Sequence, residues 1–169
     1  MQTLHFVSIW LHIVAAAIWI GGMVFLGVVL IPVLRDRSLR DRYGELIHRT
    51  GTRFRNVGWA CLGLLVVTGF VNLTRWGIGF DRLFQAEVWA SPWGKTLAAK
   101  LVLVCAILAL SGVHDFFVGP KATRALREAP GSEAARRLRR AAGWMGRLNL
   151  VLAVVVVALA TMLVRGLPR

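Results

Sequence analysis

The chain has 169 residues, 57% of them hydrophobic and only 17% charged, yet its formal net charge is +13. A soluble domain of this length carries nearer a quarter charged residues. Here the apolar residues are gathered into long blocks, which excludes a soluble globular fold and points to membrane spans.

The first block runs from about Leu4 to Leu34 without a formally charged side chain, and Pro32 marks its inner end. It exceeds the length of a perpendicular span, so tilt or extension beyond the hydrocarbon is expected. It is not expected to be a cleaved signal peptide. No Lys or Arg precedes Val14-Ala15-Ala16-Ala17, and the apolar run continues well past Ala17, whereas such peptides need a basic front and a short apolar region. The second block covers about Phe54 to Thr74. The third covers Thr96 to Val118, broken by Lys100, His114 and Asp115. The fourth covers about residues 147–165. At about 1.5 Å per residue, each is near or above the roughly 30 Å hydrocarbon thickness. The expectation is a single domain over residues 1–169, an all-α integral membrane four-helix bundle.

The positive charge is concentrated in two connections. Arg35, Arg37, Arg40, Arg42, Arg49, Arg53 and Arg55 lie between the first two blocks. Lys121, Arg124, Arg127, Arg136, Arg137, Arg139 and Arg140 lie between the last two, with Arg147 at the edge. The middle connection has only Arg75, Arg82 and Lys95. Basic loops stay in the cytoplasm, so both termini are expected outside, in the cytoplasmic (inner) membrane. Anionic lipid head groups are the natural partner of these loops, and nucleic acid is not needed to account for the charge. Trp76, Trp89 and Trp93 outside, with Tyr43 and Trp144 inside, fit an interfacial aromatic belt. The inner loop from Pro120 to Gly143 is expected to form two short helices split at Pro130-Gly131, with Ser132 as N-cap of the second. Small residues such as Gly21, Gly22, Gly58, Gly63, Gly69 and Gly112 suit close helix packing in lipid. Cys61 and Cys105 stand singly and imply no thiol redox or zinc site.

Ionisable groups inside spans are costly and mark the bundle interior or a function. His12 lies roughly 12 Å below Leu4 and Lys100 roughly 6 Å below Thr96, so both occupy the outer half with His5 at its surface. His5, His12 and Trp19 recur every seven residues, and therefore share one face of the first helix. His114 lies roughly 27 Å below Thr96, too far to share one metal ion with His12, and is placed to meet the inner loop that carries His48. His12 has two readings: a haem or copper ligand, or a hydrogen-bonding bridge to another helix. His5 and His114 are further metal candidates with the same alternative, and Lys100 either joins a cofactor site or reaches outward to the interface. Soft Cu(I) prefers Met and Cys, and Met1, Met23, Met145 and Met162 form no cluster. No GKS/T loop, HExxH or GxSxG occurs, so nothing marks an NTPase or hydrolase, and catalytic residues stay unassigned.

The segment LHIVAAAIWIGGMVFLGVVLIP, from Leu11 to Pro32, has a His followed seven residues on by Trp-x-Gly-Gly. Together with RFRNVGWACLGLLVVTGFVN and WGKTLAAKLVLVCAILALSGVHDFFVGP, it resembles the membrane domain of the CopD-type copper resistance family over roughly Leu4 to Pro120. That resemblance implies a four-helix membrane module concerned with copper transport or tolerance. The chain also resembles HemJ-type protoporphyrinogen oxidases, which bind haem and carry a His in the first helix and a Lys in the third. His12 and Lys100 match those positions, implying a haem b site with His12 as axial ligand and Lys100 as second ligand or propionate partner. A structural accessory subunit of a membrane complex, or a homo-oligomer, is the remaining reading.

Overall fold

The computed structural model describes residues 2–34, 36, 38, 42–75, 85–129 and 131–165. The interfacial Trp76, and Arg35, Arg37, Arg40 and Arg82 of the connections, lie outside the described residues. Four helices are long and apolar enough to cross a membrane: Gln2–Val33, Tyr43–Thr74, Pro92–Glu128 and Glu133–Arg165.

The first span is α1 (Gln2–Val24), a wide π-turn (Phe25–Leu30) and the short α2 (Ile31–Val33). The second is α3 (Tyr43–Arg75), and the third joins α5 (Pro92–Val113) through a second π-turn (His114–Val118) to α6 (Gly119–Glu128), after the short α4 (Ala86–Ala90). The fourth span is α7 (Glu133–Arg165).

Both π-turns stand just before a proline. Pro32 and Pro120 lack the N–H a continuous helix needs, and their rings crowd the preceding turn. The chain widens instead: the Ile31 N–H bonds Leu26 O and the Gly119 N–H bonds His114 O, one residue farther back than in an α-helix. A Cβ on Gly119 would come within 3.0 Å of the His114 carbonyl, so glycine suits that close turn. After α2, Asp36 accepts from the Ser38 N–H at 2.9 Å and its hydroxyl at 2.7 Å, and these bonds hold its carboxyl below the usual range.

Two helices begin earlier than hydropathy suggests, α3 at Tyr43 rather than Phe54 and α7 at Glu133 rather than 147. Their first turns are polar, those of α7 being built from good helix formers, and Glu45–Arg49 and Glu133–Arg137 pair one turn apart. The inner loop accordingly differs from two free-standing helices. Its first helix, α6, continues the third span, and its second is the opening of α7. Ser132 does cap α7, its hydroxyl accepting from the Ala135 N–H at 3.1 Å, and Gly131 supplies the turn with φ 94.

α1 packs antiparallel to α3, and α5 to α7, while α7 also touches α1. α3 meets the third span through Trp59, whose ring lies 5.5 Å from that of Phe116. The cyclic order is therefore first, second, third, fourth, with the first and third spans on a diagonal. Large residues of one helix sit on glycines of the next. Trp19 lies against Gly58, where an added Cβ would touch its ring at 3.5 Å, and Phe54 occupies the space beside Gly22, where a Cβ would meet the ring at 2.3 Å. The core gathers Ala15, Trp19, Cys61, Leu62, Ile107 and Ala153. Outside it, residues such as Phe6, Val28, Val102 and Phe117 are more than 60% exposed. So much exposed apolar surface is a liability in water and the normal state of a lipid-facing helix. The bundle is all-α among the described residues and belongs in a membrane.

Candidate functional site

The end of the bundle that carries Gln2 and Arg165 holds a line of polar side chains between α1 and α3. Ser8 is one turn above His12 on α1, and Thr68 is one turn below Asn72 on α3, so the antiparallel pair sets them opposite each other. Ser8 Oγ bonds Asn72 Oδ1 at 2.9 Å, and His12 Nδ1 meets Thr68 Oγ1 at 2.7 Å. Gly69 leaves room for the imidazole: a Cβ there would lie 3.7 Å from His12 Cε1.

The tautomer of His12 follows from counting protons. A threonine hydroxyl has one hydrogen, and Thr68 donates it to Leu64 O at 2.6 Å. Thr68 Oγ1 is thus the acceptor for His12, whose Nδ1 carries the proton. Nε2 then keeps its lone pair, the form of imidazole that binds a metal, with its other nitrogen oriented by a second-shell partner.

Lys100 is half-buried on α5. The first and third spans run in the same direction, so Lys100, like His12, lies toward the end of the bundle that carries Gln2 and Arg165. His5 is half-buried on the same face of α1, and Trp19, two heptads beyond it, is buried in the core.

His114 lies elsewhere, at the end of the bundle that carries the basic loops. Its Nδ1 is 2.8 Å from Asp115 Oδ1, and Asp115 Oδ2 accepts from Trp59 Nε1 at 3.0 Å. The Arg55 guanidinium stacks 5.8 Å from the Phe116 ring. This cluster locks the third span to α3 at the π-turn, and His48 on α3 is exposed. Among the described residues no three His, Cys, Asp or Glu side chains come together as a metal-binding set. Cys61 is buried and Cys105 exposed, both as free thiols.

Sequence reasoning missed Thr68, Ser8, Asn72 and Trp59. The spacing of Thr68 and Asn72 by four, at the same depth as Ser8 and His12 by four, was the available signal for the first three. Nothing local marked Trp59.

No solved structure matches the chain. An uncharacterized protein of Aquifex aeolicus (strain VF5) is 31% identical over 153 residues, covering 89% of each chain. Residues 48–163 match the profile of the family described as Copper resistance protein D. That profile spans α3 to α7, including the Thr68, Lys100 and Asp115 positions, and the chain is a multi-pass membrane protein that belongs to the copper resistance protein D family.

Proposed function

We propose that this protein is a haem b-binding redox protein of the cytoplasmic membrane, in which His12 would hold the haem as a ligand and Lys100 would serve as second ligand or propionate partner. The observation that carries this reading is the His12–Thr68 pair, which leaves Nε2 aprotic within the bundle. Haem asks the protein for only one or two donors, which His12 and Lys100 supply. A bare copper ion held in place asks for a fuller donor set, and among the described residues none of three gathers. A bound haem would supply one-electron oxidation and reduction. The chain's own part is to hold His12 in one tautomer and keep the surrounding helices packed. The basic loops then face the cytoplasm and its anionic lipid head groups.

The family match favours a second reading, copper as cargo in transport or tolerance, with His12 a transient contact and no resident ion. His5 and His114 belong to that reading as further single contacts.

One preparation separates the two. The detergent-purified protein is examined by optical spectroscopy, oxidised and reduced, with metal analysis on the same sample. A Soret band and sharp reduced α-band at near one haem per chain, lost in His12→Ala, supports the haem reading; colour unchanged by His12→Ala refutes it. A colourless protein with changed copper tolerance on deletion supports the cargo reading. A colourless, metal-free protein that also fails reconstitution leaves an accessory subunit.

A further inference from the structure

The two halves of the bundle repeat each other. Pro120 stands 88 residues after Pro32, and each follows a π-turn by two residues. Lys100 stands the same 88 residues after His12. At that offset the faces of the two descending helices agree. Ala15 and Leu103, Trp19 and Ile107, and Met23 and Ser111 all turn inward, while Ile13 and Leu101, Ala17 and Cys105, and Phe25 and Val113 all turn outward. The returning helices α3 and α7 are each 33 residues long. At an offset of 91 two buried positions of each coincide, Gly58 with Asn149 and Leu62 with Ala153. Two helices of the same period can share a phase by chance. Sharing phase, π-turn, proline and return length together is the mark of a structural repeat.

We propose that the chain is two copies of one two-span unit, related by a pseudo-twofold axis along the membrane normal, and that the His12–Lys100 site lies on this axis. The diagonal placement of the first and third spans puts equivalent positions across the bundle centre at equal depth. The core agrees: Trp19 and Ile107, like Leu62 and Ala153, are equivalent pairs within one cluster. A ligand on the axis is therefore held from two opposite sides by nitrogen donors from equivalent backbone positions, and neither half has a complete site. The supporting shell breaks the symmetry, and so do the seams, where α1 packs on α7 while α6 packs on both α3 and α7. Thr68 orients His12, whereas its equivalent on α7 is Leu159. The ligand part of the proposal rests on the haem reading above; the repeat does not.

Equivalence predicts that the two donors can be exchanged. Hemin titrations of detergent-purified full-length chains compare wild type, H12A, H12K/K100H and H12K/K100H/L159T. H12A should abolish stoichiometric binding. The exchange variant should bind about 10- to 100-fold more weakly than wild type, the deficit expected when a ligand histidine loses its hydrogen-bond partner. Adding L159T, which returns a hydroxyl beside the moved imidazole, should recover most of it. Exchange and triple variants that bind no better than H12A overturn the equivalence. The second arm needs no ligand. With Cys61 and Cys105 replaced by alanine, a cysteine at 12 is paired with one at 96, 100 or 104 and treated with a short bis-maleimide reagent. Cross-linking should peak at 100, because each alternative is displaced about 6 Å along the helix; a peak at 96 or 104, or none, overturns the axial placement. The 15/103 pair repeats the measurement if variants at 12 fail to accumulate. If wild type binds no hemin while cross-linking peaks at 100, the haem reading fails and the repeat stands.

Discussion

Thr68→Val removes one oxygen and keeps the shape of the side chain. In the structure that oxygen accepts the His12 Nδ1 proton at 2.7 Å and donates to Leu64 O at 2.6 Å. Two effects compete. Loss of an interhelical hydrogen bond within lipid costs on average about 0.6 and at most about 1.7 kcal/mol, because the lone groups find other partners. Loss of the group that orients a ligand histidine costs about 10- to 100-fold in affinity, or about 1.4–2.7 kcal/mol. The ligand effect should therefore exceed the stability effect. With His12 free to exchange tautomers and rotate about χ2, Nε2 is no longer held as the acceptor. Hemin titration by difference spectroscopy and thermal unfolding in the same detergent measure both quantities on one preparation. Thr68→Val should unfold within a few degrees of wild type while binding at least tenfold more weakly. Thr68→Ser, which keeps the hydroxyl, should bind within about threefold of wild type. Wild-type affinity in Thr68→Val would refute the tautomer argument, whatever happened to stability.

The packing yields a matched pair of tests at adjacent glycines. A Cβ at Gly22 would meet the Phe54 ring at 2.3 Å, whereas none lies within 4 Å at Gly21; Gly22→Val should cost about 1–3 kcal/mol by overpacking and Gly21→Ala almost nothing, read as shifts in thermal unfolding. Trp59→Phe keeps an aromatic ring near Phe116 but removes the donor to Asp115. It should cost about 1 kcal/mol, and an unshifted transition would mean that the bond contributes nothing. At Gly94 a Cβ would fall 1.8 Å from the Val88 carbonyl oxygen, a backbone atom that cannot turn aside. Gly94→Ala should therefore open the Ser91-capped start of α5 and lower accumulation in the membrane, and wild-type accumulation and melting would contradict that.

Much of this molecule is legible in one dimension. Hydropathy is a property of a segment alone, so the blocks around Leu4–Leu34 and Thr96–Val118 could be read as spans without knowing their neighbours, and so could the concentration of arginine in two connections. Ser132 is equally local, because a cap bonds an amide three residues away. Helix limits were less legible, since hydropathy sees the apolar part of α3 and α7 while the peptide hydrogen bonds run on through the arginine-rich turns.

His12 and Lys100 stand out as polar groups in apolar blocks, and rise per residue puts both in the outer half of the bundle. Depth does not say which way a side chain faces. Rotation of α1 against α3 decides that His12 meets Thr68. The π-turn at His114–Val118 likewise resets the helical phase, and with it Asp115 comes to lie against Trp59. The sequence by itself determined how many times the chain crosses the bilayer and where its charge collects, because those depend on transfer of each segment from water to lipid. Tertiary structure alone decided the tautomer of His12 and the partner of Asp115, because each depends on the relative rotation of helices far apart in the chain.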